Sequence, residues 1–439
     1  MQLPHKDELI VESLGPAEVA SPIGDRDDRL VPDDARVLVC SCPEELGATV
    51  PESEDLPVFE RAGARRRLFF DPASAGAGIV TCGGLCPGLN DVIRAVVLTL
   101  THTYGISRIH GFRYGYNGLA REPLETPIEL DPRRVGDIGH LGGTILGSSR
   151  GPQDPAEMVD TLERLGISIL FAIGGDGTLR GASVLVDEIA RRGAKISVIG
   201  IPKTIDNDLQ WIFRSFGFST AVDEAGKAIK RAHAEARGAW NGVGIVKLMG
   251  RHAGFIAAHA TLSCSEVNFC LIPEVPFRLE GPGGFLEALR HRLAERRHAV
   301  VVVAEGAGQE ILGADSANKD ASGNTKLEDI GVYIRDVVKA QLGDLDGGVS
   351  VKYIDPSYLI RGLPANSIDA ELCLLLGQHA VHAGMSGRTR MMVGFWNGHF
   401  THVPLGIATA GRRGIDPTGS IWSHVLEVTG QPARMDGSS

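Results

Sequence analysis

An α/β fold built on mainly parallel sheet is predicted by three features of this 439-residue sequence. Short Val/Ile/Leu/Ala runs recur without polar alternation, the pattern of strands buried on both faces. Amphipathic segments of helical length separate them, as crossovers between parallel strands require. Glycines and carboxylates gather just past the apolar runs, where open α/β sheets carry their ligand loops.

Taken in order, strands are expected at Gly78–Cys82, Ser107–Phe112, Ser168–Ile173, Ile196–Ile201, Gly242–Leu248, Asn268–Ile272, Ala299–Ala304 and Val349–Ile354. Helices are expected at Gly88–Thr103, Pro155–Leu165, Thr178–Arg192, Thr220–Arg237, His252–Leu262, Gly283–Arg296, Leu327–Leu342 and Ile368–Ala383. Residues 1 to about 70 differ, being rich in Pro, Asp, Glu and Arg. They read as an extension packed on a core or on a neighbouring subunit, with one strand at Arg36–Cys40. The polar segment Gly308–Asn324 reads as an exposed insertion or lid, and the tail after Arg434 as mobile.

The length is large for one core and suggests two domains. With 44 basic against 54 acidic residues, the net charge of −10 argues against general nucleic-acid binding. No apolar run reaches the roughly 18 residues of a membrane span. The charged start, Met1 to Glu8, lacks the apolar stretch of a signal peptide. Seven scattered cysteines read as reduced thiols, so a cytoplasmic protein is expected. Glycine is in excess, 56 residues, which composition alone leaves open between ligand loops and codon bias.

Position is more informative than number. The first strand runs into Thr81-Cys-Gly-Gly-Leu-Cys-Pro-Gly-Leu-Asn90, where glycines let backbone N–H groups approach an anion ahead of a helix. Gly142-Gly-Thr-Ile-Leu-Gly-Ser-Ser-Arg150-Gly151 offers small hydroxyl residues and a guanidinium that can fork onto phosphate. Gly174-Gly175-Asp176-Gly177-Thr178 puts a carboxylate within reach of Mg²⁺ on a polyphosphate, with a helix-capping Asp as the bland alternative. Pro202-Lys203-Thr204-Ile205-Asp206-Asn207-Asp208 sets two carboxylates beside Lys and Thr, so that one could take a hydroxyl proton. Met249-Gly250-Arg251, Glu305-Gly306 and Tyr358-Leu-Ile-Arg361 also follow strands. Together these loops supply the parts that phosphoryl transfer needs: a metal carboxylate, cationic clamps, a base, and glycines for close approach.

The set Gly-Gly-x-x-Pro-Gly-Leu-Asn, Gly-Gly-Asp-Gly-Thr, Pro-Lys-Thr-Ile-Asp-Asn-Asp, Met-Gly-Arg, Pro-Glu-Val-Pro-Phe and Ala-Glu-Gly resembles the 6-phosphofructokinase family, in order from about Gly76 to about Gly398. Gly-Gly-Asp-Gly-Thr alone also occurs in NAD kinases and diacylglycerol kinases, but those leave the Thr-Ile-Asp-Asn-Asp and Met-Gly-Arg loops unexplained. The resemblance implies two similar α/β domains, with mainly parallel sheets flanked by helices and the active site in the cleft between them. The parts would be an N-terminal extension (1–70), a nucleotide-binding domain (71–217 with 360–405) and a sugar-phosphate-binding domain (218–359 with 406–439).

It further implies that Gly83, Arg150, Gly151 and Gly174–Thr178 hold the nucleotide phosphates, with Asp176 on Mg²⁺. Asp206 would accept the proton of the sugar 1-hydroxyl, beside Thr204, Ile205 and Asp208. Gly177, Lys203 and Arg251 would also belong to the catalytic set. Met249, Gly250, Arg251 and Glu305 would bind the sugar phosphate, and Tyr358 and Arg361 its 6-phosphate, with Lys352 arriving from a neighbouring subunit. Tyr358 stands where the shorter bacterial enzymes have histidine, and Gly242 where they have an intersubunit arginine. The implied activity is transfer from ATP to fructose 6-phosphate in glycolysis, by a cytoplasmic homo-oligomer (dimer or tetramer) open to allosteric control.

The donor turns on two positions. Gly177 leaves room for a nucleotide where the pyrophosphate-dependent branch typically has Asp. Lys203 is typical of that branch. This mixture resembles the long ATP-dependent forms of plants and trypanosomatids, and ATP is the expected donor. Pyrophosphate-dependent transfer is the alternative, and a non-catalytic binding subunit the third reading.

Overall fold

The computed structural model describes residues 3–24, 30–42, 56–313 and 327–437. It divides into two compact units. One comprises residues 1–204, 209–217 and 362–411, and the other residues 205–208, 218–361 and 412–439.

The first unit is built on a nine-stranded sheet in the order Arg36–Leu38, Val58–Arg61, His399–Pro404, Met391–Trp396, Ser197–Pro202, Ile169–Gly174, Ala77–Thr81, Ile109–Phe112, Ile128–Glu129. The five strands from Met391–Trp396 to Ile109–Phe112 are parallel, and the outer ones antiparallel. Every residue of Ile169–Gly174 and of Ser197–Pro202 is buried, because helices cover both faces. Leu170, Ala172 and Val198 pack on Met158, Leu162, Leu179 and Leu185 of helices Pro155–Arg164 and Asp176–Arg192. On the other face, helix Ser367–Met385 approaches so closely that a Cβ at Gly384 would strike Ile169.

The second unit has a four-stranded, wholly parallel sheet: Phe269–Leu271, His298–Ala304, Gly242–Leu248, Ser350–Ile354. Val246, Leu248, Val300 and Val302 face helices Phe218–Arg237, Phe255–Ser263 and Ser420–Thr429. Their neighbours Val243, Ile245, Val301 and Val303 face helices Phe285–Arg296 and Ile330–Gln341. Alternation between two covered faces is why the central strand Gly242–Leu248 carries no polar residue except Lys247.

The 1–70 extension packs on a core, as expected: strand Arg36–Leu38, shorter than the expected Arg36–Cys40, and strand Val58–Arg61 complete one edge of the first unit's sheet. Glu60 on that edge accepts hydrogen bonds from Arg65 (3.0 Å) and Arg388 (2.9 Å) and pairs with the buried His402 at 3.2 Å. Burial disfavours its charge, but His402 and Arg388 outweigh this and hold the carboxyl far below the usual range. Removing one member of such a group leaves buried charge uncompensated. Glu60→Ala is therefore expected to lower stability by about 3 kcal/mol at pH 7, measured by chemical unfolding. Because the folded-state pKa is depressed, that contribution is present above the unfolded carboxyl value and fades as pH falls below it.

The expected lid at Gly308–Asn324 is partly outside the described residues, from 314 onward. In its described part Ile311 N–H donates to Gly308 O, Ile311 and Leu312 pack against the core, and Glu310 and Gly313 are exposed. The start of the tail, expected to be mobile, is not loose. Met435 is buried and accepts a 2.7 Å hydrogen bond from Arg278 N–H.

Candidate active site

Parallel pairing in the first unit aligns the carboxyl ends of three adjacent strands, with Thr81 opposite Ile173 and Gly174 opposite Pro202. The chain runs from Ala77–Thr81 to one neighbour and returns on the other side to Ile169–Gly174. The topological switch point therefore lies between the Gly83 and Gly175 loops, where such sheets bind ligands. Gly83 takes φ +86°, which favours glycine, and its N–H donates to Ser149 O at 3.1 Å. Lys203, buried at the end of the third strand, donates from Nζ to Gly84 O at 2.8 Å. These contacts bring Gly83, Arg150, Lys203 and the 174–178 loop to one sheet end. Gly151 has φ +102° and open space around it.

The hydroxyls of the 142–150 loop do not serve as that segment suggested. Ser148 Oγ donates to Gly83 O, Ser149 Oγ to Tyr114 O, and Thr81 Oγ1 to Gly147 O, while Thr144 Oγ1 lies 3.1 Å from Thr81 Oγ1. They lock the loop that carries the exposed Arg150.

Helix Asp176–Arg192 starts on Gly175, which supplies no side-chain cap, so Asp176 is not the helix cap. Its carboxylate instead pairs with Arg180 at 2.9 Å. Thr178 is buried against Gly174, where any Cβ would collide with it. A Cβ at Gly177, by contrast, would meet nothing within 4 Å. Glycine is thus not required there by packing.

In the second unit, Met249 and Glu305 follow the paired strand ends Leu248 and Ala304. Glu305 N–H donates to Leu248 O (2.9 Å) and Gly306 N–H to Gly250 O (3.1 Å), and Gly250 takes φ +130°. Asp206 Oδ2 accepts the Arg251 N–H at 3.5 Å, whereas its buried Oδ1 has no hydrogen-bond partner. Burial pushes the Asp206 carboxyl up to about 7; Asp208 and Glu305 add to the rise, and the Arg251 N–H and Arg361 oppose it. Glu305 is likewise raised by burial, against the pull of Arg361 and Arg251. Asn207 between the two aspartates is left-handed at φ +56°. Ile205 packs on the apolar cluster, and the Thr204 carbonyl accepts from Ser215 Oγ. Arg361 Nε lies 3.4 Å from Met249 Sδ and its guanidinium 5.6 Å from the ring centre of the exposed Tyr358.

Lys352 is not brought to these strand ends within the chain. It is exposed on the edge strand, level with Gly244. At Gly242 any side chain would drive into the Ala236 carbonyl, so no residue larger than glycine fits.

Residues near Asp206 and Asp208 that the sequence reading missed are Arg412, Arg413 and His252, with Glu274 holding the segment that carries Arg413. Arg413 N–H donates to Asp208 O at 2.8 Å, and its guanidinium lies 4.6 Å over Phe255. Burial lowers it to about 10, against the pull of Asp208. His252 is lowered by burial and by Arg412. Glu274 accepts from Gly254 N–H and Ile415 N–H. The Arg-Arg pair after Gly411 was the available signal.

The family model described as Phosphofructokinase matches residues 76–384. The chain belongs to the phosphofructokinase family. A protein of Borreliella burgdorferi named ATP-dependent 6-phosphofructokinase is 50% identical over 384 residues, 86% of each chain. One of the same name from Amycolatopsis methanolica is 47% identical over 442 residues, covering 98% of this chain and 96% of that one. Another, from Trypanosoma brucei brucei, is 50% identical over 389 residues, 88% of this chain and 79% of its own. A solved structure titled pyrophosphate-dependent phosphofructokinase from Marinobacter aquaeolei superposes with TM-score 0.68 at 21% identity. It covers 82% of this chain and 92% of its own, a likeness of fold alone. Among the described residues of this family member, no helix is long and apolar enough to cross a membrane.

Proposed function

We propose that this phosphofructokinase-family protein transfers the γ-phosphoryl group of ATP to the 1-hydroxyl of fructose 6-phosphate, giving fructose 1,6-bisphosphate and ADP. The observation that carries the reading is Asp206, whose buried Oδ1 lacks a partner and whose carboxyl is raised to about 7. A carboxylate so placed can take a hydroxyl proton at neutral pH, as a general base needs. The names of the 47–50% identical relatives support the donor and acceptor.

In this reading the 1-hydroxyl donates to Asp206 Oδ1 as its oxygen attacks the γ-phosphorus. The bond to the β,γ-bridging oxygen breaks, ADP leaves, and the proton ends on Asp206. Arg251, Arg361, Glu305 and Tyr358 hold the sugar phosphate. The backbone of Gly83 and Gly174–Thr178, with Arg150 and Lys203, holds the donor phosphates, which makes the first unit the nucleotide-binding part.

Among the described residues no group of three His, Cys, Asp or Glu side chains could hold a metal. A single carboxylate, Asp176, suits Mg²⁺, which takes one or two carboxylates and completes its shell with phosphate oxygens and water. When bound there it would neutralise charge on the transferring phosphate. A homo-oligomer, dimer or tetramer, and a cytoplasmic setting go with this reading.

Lys203 favours a second reading, with pyrophosphate as donor, since its buried amine adds a cation beside Gly83 and Gly84. The first test is ³¹P NMR of the enzyme with Mg-ATP and fructose 6-phosphate. A new sugar 1-phosphate signal rising with ADP is expected, and its absence at high enzyme concentration would sink the activity.

Asp206 also gives a test independent of turnover. Its folded-state pKa is raised, so between about pH 4 and pH 7 unfolding releases a proton and stability falls with rising pH. Asp206→Asn is expected to stabilise the fold by on the order of 2 kcal/mol above pH 7 and by nothing near pH 3. Urea unfolding at both values reads this; equal stability of the two forms at pH 8 would contradict the burial of that charge.

A further inference from the structure

We propose that Lys247 is a positioning residue for the sugar-phosphate set, fixing the Tyr358–Arg361 turn and the surroundings of Glu305 through Asp355 and Asp329. The inference rests on the proposed function and concerns the acceptor side of that site. Nothing in the family motifs drew attention to this lysine. It is the one charged side chain in strand Gly242–Leu248, two residues before Met249, in a run otherwise made of glycine and aliphatic residues.

Its ammonium is nearly buried and meets two carboxylates, Asp329 at 2.8 Å and Asp355 at 2.9 Å. Burial disfavours the charge, but the hydrogen bonds to both carboxylates reverse that and hold the amine above its ordinary range. Each partner starts a helix. Asp355 Oδ1 accepts from Ser357 N–H (3.0 Å) and Ser357 Oγ (2.6 Å), setting the first turn of Ser357–Arg361. Asp329 caps helix Ile330–Gln341 through Val332 N–H at 3.0 Å and accepts from Tyr353 OH. Close by, Gln309 Nε2 bridges the Glu305 carbonyl (2.8 Å) and the Glu328 carbonyl (3.1 Å).

The charge arithmetic explains why a lysine stands in an apolar strand. Glu305, Asp329 and Asp355 are three carboxylates around one sheet end, and Arg361 is the cation meant for the sugar phosphate. Without Lys247, the charge of Asp355 would stand uncompensated beside Glu305, which already draws on Arg361, and the set around Arg361 and Met249 would lose its balance. With Lys247 satisfying both, Arg361 stays available. The effect should therefore fall on the sugar phosphate and leave the nucleotide alone.

The experiment is steady-state kinetics of the full-length enzyme with both substrates varied. Lys247→Met is expected to raise the KM for fructose 6-phosphate about tenfold, with the KM for ATP within about twofold of wild type. Lys247→Arg, which keeps the charge, should recover most of the loss. Asp355→Asn retains an oxygen for Ser357 but removes the charge that Lys247 holds. It should give the same selective rise, and the double variant less than the product of the two. A folded Lys247→Met enzyme with unchanged KM for the sugar phosphate, or with both KM values rising together, overturns the proposal. If Lys247→Met does not fold, Asp355→Asn decides by the same criterion. A wild-type enzyme that turns over fructose 6-phosphate with neither donor would instead sink the function on which this rests.

Discussion

Asp206→Ala should lose about 10³-fold in kcat while fructose 6-phosphate binding changes little, since a positioned base contributes to the transition state rather than to ground-state affinity. The reasons are local. Oδ1 is buried and unpartnered, Oδ2 holds only the Arg251 N–H, and the carboxyl is raised to about 7. The substitution takes from Arg251 only the acceptor of its backbone N–H and leaves the side chains of Arg251, Glu305 and Arg361, the proposed partners of the sugar phosphate, in place. In the wild type, kcat/KM should climb about tenfold per pH unit below pH 7 and level off above it, as the base ionises. Turnover of Asp206→Ala within a few-fold of wild type, or a pH profile flat from 5 to 8, would remove Asp206 from the role of base.

Gly177→Asp should cut kcat/KM for ATP by about 10²-fold without unfolding the protein, because like charges brought together in a site cost several kcal/mol. At most glycines in these loops such a change would confound two effects. A Cβ at Gly174 would collide with Thr178, and one at Gly250 would lie 2.7 Å from the Ala253 carbonyl. Gly177 meets nothing within 4 Å and does not have positive φ. A new carboxylate there acts on whatever occupies the open space and not on the fold. Thermal stability within a degree or two of wild type, together with lost ATP use, is the expected pair of results. Full ATP activity in the variant would mean that the nucleotide phosphates lie elsewhere.

The parallel core was legible because burial on both faces writes itself as uninterrupted Val/Ile runs; strand Gly242–Leu248 falls on its expected bounds. The hairpin Met391–Trp396 and His399–Pro404 was missed, although Asn397-Gly398 between its strands, both left-handed, is a strong two-residue turn signal. Its flanking His and Thr residues hid the alternation. Strand Val58–Arg61 was hidden in the same way, since Glu60 reads as surface and is drawn half-buried into the sheet edge by meeting Arg65, Arg388 and His402. At the candidate site, residues announced by loop motifs were legible one by one. What depends on contacts distant in sequence was not. The 142–150 hydroxyls turn out to hold their own loop, Arg413 reaches Asp208 from the C-terminal segment, and Lys247 looked like one polar residue in a strand.

The phosphoryl donor is read from initial rates on fructose 6-phosphate with ATP and, separately, with pyrophosphate, each with Mg²⁺ and each repeated after chelation by EDTA. Turnover with ATP, at least about 10²-fold below that level with pyrophosphate, and loss of both in EDTA is the expected result. Turnover with pyrophosphate alone would contradict it, and would make Lys203 rather than Gly177 the residue that sets the donor.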